Sequence, residues 1–223
     1  MTEPETKKRV AFAATGVANL ASIMAAFRRA GAEPYLAKDA EDLATASFAV
    51  VPGVGSFGSA MAALRDSGMD EAVVDRTTRG APTMGVCAGM QLFFEASEES
   101  PGVLGMGIVK GELRRFPPSL PVPQLGWNKV WPEDSDPTER SSAGEARSVS
   151  QRLVHDGWAY FANSYRLTSL PDELSGSWAE YGESFVAAAE RPGLLLCQFH
   201  PELSGPWGQS LIERWLKQTG GEA

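Results

Sequence analysis

Cysteine and histidine are both scarce, with two of each among 223 residues. So few thiols exclude a disulfide-stapled scaffold, and reducing compartments rarely keep a lone bridge, so Cys87 and Cys197 read as free. No metal is expected: the acidic stretch Glu95 to Glu99 has no ligand partners at useful spacing. There is no uninterrupted apolar segment long enough to span a bilayer and no secretory signal. The polar opening MTEPETKKR reads instead as a short leader, residues 1–8, before the first strand. Basic residues are outnumbered, 20 against 28, and the net charge of −8 argues against nucleic acid as the main partner. A soluble cytoplasmic protein without a membrane or nucleic-acid partner is the expectation. The glycine-rich turns fit neither GxxxxGK[ST] nor GxGxxG, so no nucleotide loop and no cofactor are expected.

What is present is apolar patterning. Hydrophobic residues make up 43 % of the chain, enough for one sizeable core, and a single domain over 1–223 is expected. Val10 to Thr15 reads as a strand, Asn19 to Ala30 as an amphipathic helix, and Pro34 to Ala37 and Phe48 to Val51 as strands. Helical patterns follow at Met61 to Leu64 and Met69 to Arg79. This alternation predicts an α/β fold: a mostly parallel central sheet flanked by helices. Further along, Trp158 to Leu167, Ser177 to Tyr181 and Phe185 to Glu190 predict an antiparallel extension, and Gln209 to Gln218 a last helix. Between them Pro132 to Ser150 is polar and reads as a surface excursion.

The segment GVCAGMQ, Gly85 to Gln91, carries the most chemistry. An apolar run ends in a cysteine with glycine two residues before and two after, and Met90 to Ala96 then looks helical. This is the pattern of a nucleophile elbow, in which small neighbours permit a strained turn from strand into helix. Amides opening that helix favour a thiolate. A reactive thiol needs a base. His155, in a polar HDG turn, reads as a solvated loop residue, whereas His200 in QFHPE directly follows the apolar run Leu194 to Cys197. Cys87, His200 and Glu202 therefore form a candidate nucleophile, base and orienter. The block VPGVGSFGSAM, Val51 to Met61, packs four glycine or proline residues into seven positions, giving either a plain βα turn or a loop of exposed amides suited to an oxyanion. Gly53, Cys87 and His200 all fall just past predicted strand ends, where parallel sheets gather their functional groups.

PGVG, GVCAGMQ and FHPE in this order resemble the class I, triad-type glutamine amidotransferases, whose fold is flavodoxin-like. GMQLFFEASEES, GELRRF (Gly111 to Phe116), LGWN (Leu125 to Asn128) and YFANSY (Tyr160 to Tyr165) extend the resemblance to the glutaminase subunits of imidazole glycerol phosphate synthase. The resemblance implies Cys87 as nucleophile, His200 as acid and base, and Glu202 as its orienter. It assigns the oxyanion amides to Gly53, Val54, Gly55 and Ala88, and the substrate's amino-acid end to Gln91, Glu99, Ser164 and Tyr165. The implied substrate is L-glutamine, cleaved through a glutamyl thioester. The implied partner is a (β/α)8-barrel cyclase that takes the ammonia, with Trp127 and Asn128 of an LGWN loop near the contact.

The chain departs from that family at several positions. Ala14 to Asn19 replaces DYGxGN, Asn163 stands in a usual HSY, Gln124 and Leu125 stand in PHMGWN, and Leu203 takes the place of a lysine in HPEKS. Glu99 has a second reading as a solvated acid, Trp127 as a core aromatic, and Cys197 as core. Another ammonia-accepting synthase, a free-standing cysteine hydrolase of γ-glutamyl compounds, or a degenerate regulatory subunit are the competing functions.

Overall fold

A computed structural model describes residues 7–15, 20–53, 55–133 and 152–218. The first half alternates as the patterning predicts: β1 (Arg9–Phe12), α1 (Leu20–Arg29), β2 (Glu33–Leu36), α2 (Ala40–Thr45), β3 (Phe48–Val51), α3 (Phe57–Asp66), α4 (Met69–Thr78) and β4 (Thr83–Val86). All four residues of β3 and of β4 are buried. Such continuous apolar strands suit the middle of a parallel sheet covered on both faces. After the single-turn helix α5 (Ala88–Gln91) come β5 (Ala96–Ser97), β6 (Glu112–Arg115), β7 (Gln124–Pro132), β8 (Gly157–Asn163) and β9 (Tyr165–Arg166). The chain continues through β10 (Ser175–Glu180), β11 (Ser184–Arg191) and β12 (Leu194–Cys197), turns once as a 3-10 helix at Pro201–Leu203, and closes with α6 (Gly205–Leu216).

Among the described residues the main sheet has nine strands, ordered β2-β1-β3-β4-β12-β11-β10-β7-β8. The first five run parallel and the last four extend the sheet antiparallel. Alternate residues of each strand feed opposite cores. Val10, Phe12, Val50 and Leu195 join α1 and α6 on one face, where Trp215 packs edge-on against Phe27 and Phe48. Ala11, Ala49, Val51 and Leu196 join α3 and α4 on the other. The fully buried Arg76 of α4 donates to the carbonyls of Leu43, Ala44, Ala46 and Pro82, tying the end of α2 to the approach of β4. Burial pushes its guanidinium down to about 10.

Two expectations need correction, and one element was not anticipated. The helix read over Met90 to Ala96 is one turn beginning at Ala88. Its continuation is captured by another segment: Glu95 N–H donates to Gly111 O, Gly105 N–H donates to Glu95 O, and Ala96 pairs with Glu112. LGWN is not a loop. It lies within β7, paired in register with β8 so that Trp127 faces Tyr160. The short helix α2 was not anticipated, although Asp39 caps it by accepting from Asp42 N–H at 2.8 Å. The polar excursion Pro132 to Ser150 lies almost wholly outside the described residues.

A three-stranded sheet, β5-β6-β9, joins the chain leaving the elbow to the continuation of β8. It brings Glu99 and Tyr165 to the same rim as Cys87.

Candidate active site

β3, β4 and β12 are parallel neighbours, so the turns after them meet at one edge of the sheet. The elbow follows β4. Cys87 has φ 53° and ψ −119°, and no other non-glycine residue among those described has a positive φ. Holding a side chain there costs roughly 1–3 kcal/mol, which the surrounding packing must sustain. The glycines explain how the turn fits. A Cβ on Gly89 would sit 2.0 Å from Val51 O, and one on Gly53 would sit 1.9 Å from Gly89 N. The PGVG loop and the elbow thus press backbone on backbone. A Cβ on Gly85 would meet Met90 Cα at 2.8 Å.

His200 follows β12 and is fixed by its own N–H, which donates to Tyr160 O at 2.9 Å. Its Nδ1 is 2.9 Å from Glu202 Oε1, with the two side chains only 10 % and 6 % exposed. The 3-10 turn starting at Pro201 folds Glu202 back under the ring. Cys87 is the other neighbour that acts on the ring. Burial alone would lower the imidazole's pKa, but hydrogen bonds and charge from Cys87 and Glu202 outweigh it and raise it to about 10. Cys87 Sγ also lies 3.8 Å from Ala162 O and 3.9 Å from Gln198 Nε2.

A cavity of about 210 Å³ opens beside the thiol. It is lined by Cys87, Ala88 and His200 together with Gly55, Gln91, Glu99, Ala162, Asn163, Ser164 and Tyr165. Ala88 opens α5, where first-turn amides have no intrahelical partner, so its N–H is available beside the sulfur. Gln91 is 5 % exposed and donates to Gln198 Oε1 at 2.9 Å. Glu99 Oε2 accepts from Phe57 N–H at 2.6 Å, so its carboxylate also anchors the start of α3. Gly53 does not line the cavity and packs against Ala88 and Gly89, and Val54 lies outside the described residues.

Trp127 and Asn128 do not line the cavity. Trp127 is 54 % exposed and stacks edge-on against Tyr160, whose carbonyl holds His200. Asn128 donates to Glu180 O at 2.6 Å, within its own sheet. His155 is exposed, and Cys197 is fully buried with its thiol pushed well up by burial. Both cysteines are free. Sequence reasoning passed over Gln198 and Ala162. Gln198 stands within the same QFHPE motif as His200, but its partner Gln91 is remote in sequence.

The sequence profile of the family described as glutamine amidotransferase class-I matches residues 18–219, and the chain belongs to that class. A solved glutamine amidotransferase shares the fold, with a TM-score of 0.70 at 18 % identity, covering 93 % of this chain and 97 % of the other. Nearer relatives narrow the assignment. The imidazole glycerol phosphate synthase subunit HisH of Symbiobacterium thermophilum is 35 % identical, over 93 % of this chain and 92 % of that protein. The HisH subunit of Deinococcus radiodurans is 36 % identical, over 91 % and 90 %. Within its class, the chain is a member of this HisH family of histidine biosynthesis, a glutaminase subunit.

Proposed function

We propose that this chain, folded as one amidotransferase domain, hydrolyses L-glutamine at Cys87 and passes the ammonia to a cyclase subunit that builds imidazole glycerol phosphate. The observation that carries the reading is the convergence of a strained cysteine with a buried imidazole–carboxylate pair beside a cavity of about 210 Å³. Cys87 sulfur attacks the side-chain amide carbon of glutamine. The oxyanion forms against the N–H of Ala88 and the amides of the loop containing Gly53, Val54 and Gly55. His200, held protonated by its neighbours, donates its proton to the departing nitrogen, and ammonia leaves a glutamyl thioester. The now neutral imidazole takes a proton from water, whose oxygen attacks the thioester carbon. Glutamate departs, and the sulfur and imidazolium are restored. Gln91, Glu99, Ser164 and Tyr165 hold the amino-acid end.

Ammonia released to solvent would be wasted, so a (β/α)8-barrel cyclase must dock over the site. One face of β7 and β8 presents Leu125, Trp127 and Trp158, which are 69 %, 54 % and 57 % exposed, with Leu203 at 42 % beside the catalytic turn. So much exposed apolar surface near the cavity supports partner contact through Trp127, with Asn128 next to it in β7. A cytoplasmic site of action fits this biosynthetic role, and no described helix is long and apolar enough to cross a membrane.

The test is glutaminase activity with and without the cyclase and its nucleotide substrate. Stimulation by both, abolished in Cys87→Ala, is expected. High turnover without any partner would instead identify a free-standing hydrolase.

A further inference from the structure

Gln198 stands just past β12, with its N–H held by Ala187 O at 2.9 Å. Phe199 enters the core while Gln198 and His200 both reach Cys87. Gln198 is 1 % exposed. Its amide is divided between two functional groups. Oε1 accepts from Gln91 Nε2 at 2.9 Å, and Nε2 lies 3.9 Å from Cys87 Sγ.

This division fixes polarity at both ends. With Oε1 committed to Gln91, only N–H hydrogens remain to face the sulfur. Gln91 is fixed in turn, because its Nε2 is taken by Gln198 and, at 3.5 Å, by Tyr165 O. Its own Oε1 is then the atom the amide turns to the cavity. Flipping Gln198 alone would set donor against donor, and flipping Gln91 alone would set its oxygen against Gln198 Oε1 and Tyr165 O, both costly in a buried place.

We propose that Gln198 is a positioning residue of this site: it locks Gln91 with its carbonyl oxygen toward the substrate and offers an N–H to the Cys87 sulfur. The proposal rests on the reading of Cys87 as the glutamine-attacking thiol. An acceptor presented by Gln91 suits an ammonium or amide N–H of the substrate and disfavours a carboxylate there. Gln198 therefore contributes to specificity without touching the ligand.

The test uses the full chain in complex with the cyclase. It measures KM and kcat for glutamine, and the rate at which iodoacetamide alkylates Cys87 at one fixed pH. Gln198→Met fills the space but neither accepts nor donates in the same way. Gln198→Glu keeps an oxygen to accept from Gln91 but loses the N–H facing the sulfur. The expected split is a rise of about tenfold in KM for the Met variant, the worth of about one hydrogen bond, against a KM within about twofold for Glu. Alkylation slows in both. In a Gln91→Met background the KM effect of Gln198→Met disappears. If the Met variant does not accumulate, the near-isosteric Glu variant carries the test through its slowed alkylation at retained KM. Equal KM changes in Met and Glu, unchanged alkylation, or a KM effect that persists without Gln91 overturns the proposal. Glutaminase activity surviving in Cys87→Ala overturns the underlying reading instead, a result distinguishable from any of these.

Discussion

Two cysteines lie side by side at the ends of neighbouring strands, and their surroundings make them opposites. Cys87 N–H donates to Cys197 O at 2.7 Å, so the two residues share a backbone hydrogen bond. Yet Cys197 ends a regular strand, wholly buried, with its thiol suppressed by burial. Cys87 has left the strand for a positive φ, which carries its sulfur to a cavity, an imidazole and a side-chain amide. On the proposed mechanism, reactivity is set by backbone conformation and neighbours, because the residue type is common to both.

The largest effect expected from breaking this contrast is the loss of Cys87. Cys87→Ala should lower glutaminase kcat in the cyclase complex by about 10⁴-fold or more, while Cys197→Ala keeps most activity, as steady-state ammonia release would show. Next comes the His200–Glu202 pair, proposed to activate the sulfur. Glu202→Gln leaves the His200 ring without its carboxylate and should cost about 10²–10⁴-fold in kcat with little change in KM. Third is the backbone contact. Gly89→Ala would drive a methyl into Val51 O, and the expected result is a reduced unfolding free energy, by about 1–3 kcal/mol, together with impaired turnover.

A smaller effect concerns pH. His200 is raised from 6.5 to about 10 in the folded chain, so the folded state binds this proton more tightly than the unfolded one. Its contribution is complete below pH 6.5 and lost as pH climbs toward 10. Urea titrations should show stability falling over that window, and His200→Asn should flatten the fall. Smallest is Cys197→Ser, which buries a hydroxyl in apolar strand surroundings. It should cost about 1–3 kcal/mol of stability and leave KM unaltered.

The same contrast explains how much could be read in advance. Phe48 to Val51 and the run into Cys87 are continuous apolar strands closed by glycine or proline, and such strands are legible one at a time. The elbow was legible because Gly85 and Gly89 are demanded by close backbone approach. Leu92, Phe93 and Phe94 misled: their apolar run resembles helix, but all three are fully buried in turns that pair with the segment around Gly105 and Gly111. β7 was hidden by the prolines before it and by Gly126 at φ 135°, which blur strand alternation. Gln198 escaped because its role depends on an amide more than a hundred residues away in sequence, and no local pattern records such a partner.

The most direct measurement is acid-quenched turnover with isotope-labelled glutamine in the cyclase complex, followed by peptide mass spectrometry. A labelled glutamyl adduct on the peptide bearing residue 87, with none on that bearing residue 197, is the predicted result. Turnover with no adduct on Cys87, or an adduct on Cys197, would contradict the account.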